Sequence, residues 1–192
     1  MHIQPVGINM KMRYISFFAG ALLGFMTGAM SMQVMASDEN GDAYCLAKNI
    51  YFEAGNQPLA GKVAVAQVVL NRMEHSAYGD TACDVVYQAR WRENWKGNMV
   101  PIRHQCQFSW YCDGMRDIIW ANKEKTGITI EANARAWRDS VKVAIYTLGH
   151  GSYRVNDNTD GAVYYYAHNL VTPSWSHTKD LTVIVGNHTF MK

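Results

Sequence analysis

The stretch NIYFEAGNQP, residues 49–58, places one glutamate among apolar side chains. Residues on a helix advance by about 100° each, so Glu53 lies within roughly 20° of Leu46, and Ile50 lies on the same face. Burial on this face, together with the negative end of the helix dipole, would raise the pKa of Glu53. A glutamic acid that keeps its proton near neutral pH can act as a general acid. The alternatives are a pair with Arg72, a buried hydrogen-bond network, or a helix that ends early and leaves Glu53 in solvent.

Two helices are predicted to hold Glu53. The first runs from about 43 to 54, with Asp42 as its N-cap and Gly55–Asn56 as its end. The second runs over about 59–73, and Pro58 suits its first turn. Because the sequence LAGKVAVAQVVLNRM is apolar nearly all round, we expect this second helix to be central and buried.

The rest of the chain predicts one further long helix and a small sheet. Apolar residues recur at helical spacing over about 130–148, and the runs AVYYYAH and LTVIVGNHTF are typical of strands. The region between the second and third long helices is predicted to be rich in loops. The predicted loop region covers 74–129 and contains short helical pieces near 84–88 and 117–122. The two predicted strands cover 162–168 and 181–190. The predicted fold class is α+β, with N-terminal helices and a small C-terminal antiparallel sheet in a single domain over 42–192.

The first 36 residues resemble a secretory leader. Lys11 and Arg13 precede an uncharged stretch, and the small residues before Ser37 suit a signal peptidase. Retention as a membrane anchor is the alternative, because 18 uncharged residues from 15 to 32 are close to the minimum for a span. Residues 37–41 are predicted to be a linker. Without the leader the net charge is zero, so the composition gives no indication of nucleic-acid binding, and the membrane is expected as a partner only through this N-terminal segment.

Four cysteines follow the leader, which in an exported chain predicts two disulfides. Three connectivities are open. Cys106 and Cys112 are close enough in sequence to close a small loop, which would leave Cys45 with Cys83. Zinc binding is the rival interpretation, but no two cysteines show the C-x2-C spacing of a zinc site. No metal or cofactor is predicted.

Five blocks of sequence, in order along the chain, resemble the bacterial cell wall hydrolase family typified by spore cortex-lytic enzymes. The blocks are CLAKNIYFEAGNQPLAGKVAVAQVVLNRM (45–73), CDVVYQ (83–88), CQFSWYCDG (106–114), GAVYYYAHNLVTPSW (161–175) and VGNHTF (185–190). The resemblance covers nearly all of the chain after the leader. One departure lies beside the glutamate, where the family usually has R-G-E and this chain has Gly55-Asn56-Gln57.

This resemblance implies a compact α+β relative of the lysozyme-like lytic transglycosylases, an enzyme that cuts the glycan strands of peptidoglycan. Glu53 would be its catalytic acid. The residues implied to line the saccharide cleft are Gln107, Phe108, Ser109, Asp113, Tyr164, Tyr166 and Trp175. Of these, Phe108 is expected to be core, and Asp113 suits a turn as well as a cleft. We expect a monomer that is exported to the periplasm or secreted.

The reaction can follow two courses. Hydrolysis usually needs a second carboxylate, for which Asp113 is the candidate, as a base for water. A single acid instead suits a lytic transglycosylase, which cuts between N-acetylmuramic acid and N-acetylglucosamine and leaves a 1,6-anhydro end. Two further alternatives are a non-catalytic wall-binding module and a zinc amidase using His150, His168, His177 and His188. The amidase lacks support, since there is no H-E-x-x-H motif.

Overall fold

The computed structural model describes residues 41–119, 131–149 and 156–192. The predictions for the leader, for linker residues 37–40 and for His150 concern residues outside these ranges. Within them, no helix is long and apolar enough to cross a lipid bilayer.

Four helices form the first part of the fold. They are α1 (Asp42–Ala54), α2 (Leu59–Met73), α3 (Ala82–Val86) and α4 (Glu131–Thr147). Helix α1 packs against the other three. Leu46, Ile50, Val69 and Val85 are fully buried where these helices meet, and each such side chain contributes about 1.5–3 kcal/mol through burial.

Helix α2 is the central helix, as its sequence predicts. Val69 faces the other helices, whereas Val65 and Val68 face the C-terminal sheet with Phe190. Its polar residues Lys62 and Arg72 are also buried. The helix therefore lies between the two parts of the core, and nearly all of its faces are covered.

The start of α1 differs from the prediction. Gly41 is the N-cap and makes no side-chain capping bond, whereas Asp42 is the first helical residue. The Asp42 carboxylate accepts a hydrogen bond from the backbone N–H of Cys83 at 3.1 Å. Asp42 thus connects α1 to α3 instead of closing its own helix, because a tertiary donor is available to it.

The C-terminal sheet has three antiparallel strands in the order β3–β5–β4. The numbering follows two earlier strands, β1 and β2, of the hairpin described below: β3 is Tyr164–Ala167, β4 is Leu181–Val185 and β5 is His188–Met191. The predicted single strand over 181–190 is therefore two strands, with a turn at Gly186 and Asn187. Gly186 has φ 58°, and a Cβ there would lie 2.6 Å from Oε1 of Gln57, so any other residue would strain the backbone and displace the Gln57 side chain.

An antiparallel hairpin, β1 (Ala89–Glu93) and β2 (Met99–Cys106), occupies a region predicted to be loops. The sequence did not reveal it because β1 has only five residues, and because the apolar residues of β2 (MVPIRHQC) are consecutive and include a proline instead of alternating with polar ones. The predicted helical piece near 84–88 corresponds to α3. Residues 117–119 are not helical, and the rest of that predicted piece lies outside the described ranges.

Both disulfides connect the predicted pairs. Cys45–Cys83 joins α1 to α3, with 5.1 Å between the Cα atoms, and Cys106–Cys112 spans the short 3-10 helix Ser109–Tyr111. The α+β class is confirmed.

Candidate active site

Glu53 lies in the last turn of α1, which ends at Ala54. The residue as a whole is half-buried, while Ile50 and Ala54 beside it are fully buried. The predicted apolar stripe is therefore present, and Glu53 lies where that stripe reaches the surface. A reacting group needs this combination of a restricted environment and access from outside.

Tyr165 holds the carboxylate in position. Its hydroxyl donates to Oε2 of Glu53 at 3.0 Å. The Tyr165 ring packs against His188 and Phe190 of β5, at 5.3 and 5.5 Å between ring centroids. Phe190 is directly opposite Tyr165 in the ladder and is fully buried. The C-terminal sheet therefore fixes a hydrogen-bond donor over the end of the first helix.

The environment of Glu53 favours the protonated acid. Burial raises the pKa of Glu53, and the hydrogen bond from Tyr165 and the positive charge of Arg72 partly offset that rise. Burial also raises the pKa of Tyr165 well above its ordinary value, and the neighbouring Glu53 adds to this rise. Tyr165 therefore remains a neutral donor whichever form Glu53 takes.

Arg72 connects three parts of the site. It is 5% exposed, and its Nε donates to the carbonyl of Val163, just before β3, at 2.8 Å. Its guanidinium lies 5.0 Å from the ring centre of Phe108 and 5.2 Å from that of Tyr78. The CQFSWYCDG block and the start of β3 are thus held against the same cation from α2.

The predicted cleft residues of the CQFSWYCDG block divide into two kinds. Gln107 and Ser109 are exposed on either side of Phe108, which is 2% exposed and belongs to the core as expected. Asp113 forms a local turn, in which its Oδ1 accepts from the N–H of Met115 at 2.7 Å. Its backbone carbonyl accepts from Nε of Arg103 at 2.9 Å. Asp113 therefore has a structural role, which the sequence had made as plausible as a role in the cleft.

The three aromatic residues predicted to bind saccharide lie together. Trp175 lies 5.8 Å from Tyr164 and 5.9 Å from Tyr166, between ring centroids. Residues at alternate positions of a strand share one face, so Tyr164 and Tyr166 lie opposite Tyr165. The Tyr78 ring lies 5.2 Å from the Arg72 guanidinium, and burial and the neighbouring Tyr164 both raise the pKa of Tyr78. Tyr78 thus connects this aromatic group to the surroundings of Glu53.

Tyr165 and Arg72 were not predicted as members of the site in these roles. The run Tyr164-Tyr165-Tyr166 offered a signal for Tyr165, since strand alternation must turn the middle ring toward the helices when the outer two face away. For Arg72, the signal was a basic residue in the last turn of an otherwise apolar helix. Such a charge, when buried, has to be satisfied by a neighbouring element.

Metal binding finds no structural support in the described ranges, where no three His, Cys, Asp or Glu residues cluster in a way that could hold an ion.

Comparisons with known proteins agree with the resemblance seen in the sequence. A spore cortex-lytic enzyme of Oceanobacillus iheyensis is 27% identical over 86% of this chain and 46% of its own length. A spore cortex-lytic enzyme of Bacillus cereus is 24% identical over 79% of this chain and 44% of its own length. The chain therefore spans less than half the length of these curated relatives.

Among solved structures, the catalytic domain of the germination-specific lytic transglycosylase SleB from Bacillus anthracis matches with a TM-score of 0.47 and 22% identity. That match covers 79% of this chain and 93% of that one. The catalytic domain of SleB from Bacillus cereus gives the same TM-score, with 23% identity.

The family model described as Cell Wall Hydrolase matches residues 56–191, which is most of the chain and begins just after Glu53. The resemblance drawn from the five sequence blocks is confirmed, and the chain belongs to the cell wall hydrolase family.

Proposed function

We propose that this protein is a lytic transglycosylase that cuts peptidoglycan glycan strands between N-acetylmuramic acid and N-acetylglucosamine, with Glu53 as its single catalytic acid. The observation that carries the proposal is the half-buried Glu53 at the end of α1, whose pKa is raised by burial and whose carboxyl group Tyr165 holds in position. Family membership supports the substrate class. The names of the similar spore cortex-lytic enzymes and lytic transglycosylases point the same way.

The first step needs a proton on the departing oxygen. Glu53 gives its proton to the glycosidic oxygen while the bond from that oxygen to the anomeric carbon of the muramic sugar breaks. The positive charge that develops on the sugar is stabilised by the Glu53 carboxylate left behind and by the sugar's own N-acetyl group. The hydrogen bond from Tyr165 then becomes a charge-assisted bond and stabilises this carboxylate.

The second step uses the same residue as a base. The Glu53 carboxylate takes the proton of the C6 hydroxyl of the muramic sugar, and that oxygen bonds to the anomeric carbon. A 1,6-anhydro ring closes, Glu53 regains its proton, and no water is consumed. One glutamate thus completes the cycle as acid and then as base.

The neighbours of Glu53 support this course over hydrolysis. Within the described residues, the side chains that shift the pKa of Glu53 are Tyr165 and Arg72, and neither is an acid. Asp113, the candidate base for water, has one carboxylate oxygen bonded to the backbone of its own turn. A retaining or inverting hydrolase would instead place a second carboxylate across the scissile bond.

The aromatic group on the other face of β3 suits the sugar rings. Tyr164, Tyr166 and Trp175 present neighbouring ring surfaces, and Trp175 is 37% exposed. Pyranose rings have apolar faces that pack on such side chains. We assign this group, with the exposed Gln107 and Ser109, to binding the glycan.

Export follows from the same proposal. Peptidoglycan lies outside the cytoplasm, and two disulfides are stable in an oxidising compartment. The N-terminal leader would deliver the chain there.

Digestion of peptidoglycan in oxygen-18 water tests the reaction course. Mass spectrometry should find 1,6-anhydromuramic ends without label. Labelled reducing ends would contradict the transglycosylase course and restore Asp113 as the base for water. Absence of any cleaved glycan would contradict the proposed activity itself.

A further inference from the structure

The β1–β2 hairpin exposes large apolar side chains. Trp95 in the turn is 89% exposed, Met99 is 60% exposed and Trp91 is 45% exposed. Truncation of Trp95 to alanine would therefore lose almost no packing within the protein. Three large apolar groups on one small hairpin form an exposed patch of the kind that marks an interaction site.

The same hairpin concentrates positive charge. Residues 89–105 contain four basic residues and one acidic residue, although the chain after the leader is neutral overall. Arg90, Arg92 and Lys96 are exposed, and Nζ of Lys96 lies 4.7 Å from the ring centre of Trp95. Because successive residues of a strand face opposite sides, Arg90 and Arg92 lie on the opposite face of the hairpin from Trp91, whereas Lys96 lies beside Trp95 in the turn. A partner that covers the turn must therefore offer flat apolar groups together with negative charge.

The hairpin is held in shape without a partner. The side-chain oxygen of Asn94 accepts from the backbone N–H groups of Lys96 and Asn98, at 2.9 and 3.0 Å. At the other end, the Cys106–Cys112 disulfide and the bond from Arg103 to the carbonyl of Asp113 fix its base. A surface that is already ordered loses little entropy on binding.

A chain of ring contacts connects the hairpin to the catalytic glutamate. Phe52, beside Glu53, stacks on Trp110 at 4.8 Å between ring centroids. Trp110 contacts Tyr111 at 6.1 Å, and Tyr111 contacts Trp91 at 6.4 Å. The exposed Trp91 is thus continuous, through packed rings, with the helix end that carries Glu53.

We propose that the β1–β2 hairpin is a second binding surface for the polymer, which holds a peptide-bearing glycan strand while Glu53 acts on it. This inference rests on the proposed function. Trp91 and Trp95 would pack on sugar rings beyond the cleaved bond, and Lys96, beside Trp95, would pair with carboxylates of the peptide stems. Arg90 and Arg92 would pair with stems that extend past the hairpin to its opposite face. The packed rings from Trp91 to Phe52 connect the hairpin to the helix that carries Glu53, which favours the glycan over an anionic lipid surface.

Pelleting assays with insoluble peptidoglycan test this surface. The parent protein carries Glu53→Gln, so that the polymer stays intact, and the variants add Trp95→Ala, Trp91→Ala, or Arg90→Gln with Arg92→Gln. Each tryptophan variant should weaken binding at least about fivefold, the effect of truncating an interface anchor. Tyr146→Ala on α4 is the matched control, because Tyr146 is 41% exposed on a different element, and it should bind like the parent.

The arginine variant should weaken binding to intact peptidoglycan but bind peptide-stripped glycan as the parent does. Unchanged pelleting of both tryptophan variants would overturn the proposal. So would Trp95-dependent binding to phosphatidylglycerol vesicles without an effect on peptidoglycan, or a dimer of the parent that Trp95→Ala dissociates. The anhydro product is measured separately with the Glu53 enzyme. If this product is detected while the tryptophan variants pellet like the parent, the binding role of the hairpin is refuted and the proposed reaction is not.

Discussion

Glu53 and Trp95 lie in contrasting environments, one packed within the fold and the other exposed at its surface. Glu53 is half-buried, and its carboxyl group is held by Tyr165, 112 positions later in the chain. Lys62, which is also buried, donates to the carbonyls of Gly55 and Gln57 at 3.0 and 2.6 Å, just after the end of α1. Trp95 is exposed at the tip of a hairpin, in a turn where the side-chain oxygen of Asn94 accepts a hydrogen bond from the backbone N–H of Lys96.

The contrast separates two kinds of consequence. A substitution near Glu53 alters a network that joins α1, α2 and β3, so it should change the chemistry and the stability together. A substitution on the exposed faces of the hairpin removes groups that the rest of the fold does not use. It should change binding and leave the free energy of unfolding nearly unchanged.

The largest effect is expected from Glu53→Gln. The amide has the same shape and can still accept the bond from Tyr165, but it has no acidic proton to give. Turnover of peptidoglycan should fall at least about 100-fold, as expected for loss of a general acid. Release of soluble fragments measures this, and a variant that retains more than a few per cent of activity would exclude Glu53 as the acid.

The same variant should not be less stable. Because burial raises the pKa of Glu53, the fold favours the neutral form, and the resulting stability is present below the unfolded-state pKa and is lost as the pH rises toward the folded-state pKa. Glutamine stays neutral throughout. Melting temperatures should therefore equal or exceed those of the wild type near pH 7, and the difference should shrink in acid, at about pH 4.

The two disulfides offer a direct comparison of the two regions. Cys45–Cys83 closes a loop of 38 positions in the helical core, whereas Cys106–Cys112 closes one of 6 at the base of the hairpin. Chain entropy predicts losses of about 4 and about 2 kcal/mol, respectively, when both cysteines of a pair are replaced by alanine. Urea unfolding measures both losses, and a larger loss for the hairpin pair would contradict this ordering.

The sequence predicted the helical part of the site well, for a physical reason. The stripe formed by Leu46, Ile50 and Glu53 follows from helix geometry alone, and α2 is apolar enough that its burial follows from composition. The turn residues Gly55 and Pro58 mark the ends of the helices. These features depend on residues that are near one another in the chain.

The rest depended on contacts between distant residues. The pairing of β3 with β5 brings Tyr165 to Glu53. Asp42 accepts a hydrogen bond from the backbone of α3 instead of capping its own helix. In the hairpin, β2 has consecutive apolar residues that include Pro101, and both faces of the two strands are largely open to solvent. The pairing of these strands is set by the turn at Asn94 and by the contacts at the base of the hairpin. Neither feature can be predicted from the hydrophobic pattern of a single sequence.

The smallest of these effects is expected from Tyr165→Phe, which removes one hydroxyl from the interior network. The hydrogen bond from Tyr165 lowers the pKa of Glu53, so its loss should raise that pKa further. Because the first step needs protonated Glu53, activity falls as the pH rises through the pKa of Glu53, and in the variant this fall should occur at higher pH. Below that pH the rate should decrease by about tenfold, since the carboxylate formed in the first step loses a charge-assisted donor. Tyr166→Phe is the matched control, as Tyr166 lies on the opposite face of β3. It should leave the position of the fall unchanged, whatever it does to substrate affinity. A Tyr165→Phe profile that is lowered at every pH without moving would show that Tyr165 only packs against Phe190 and does not tune the acid.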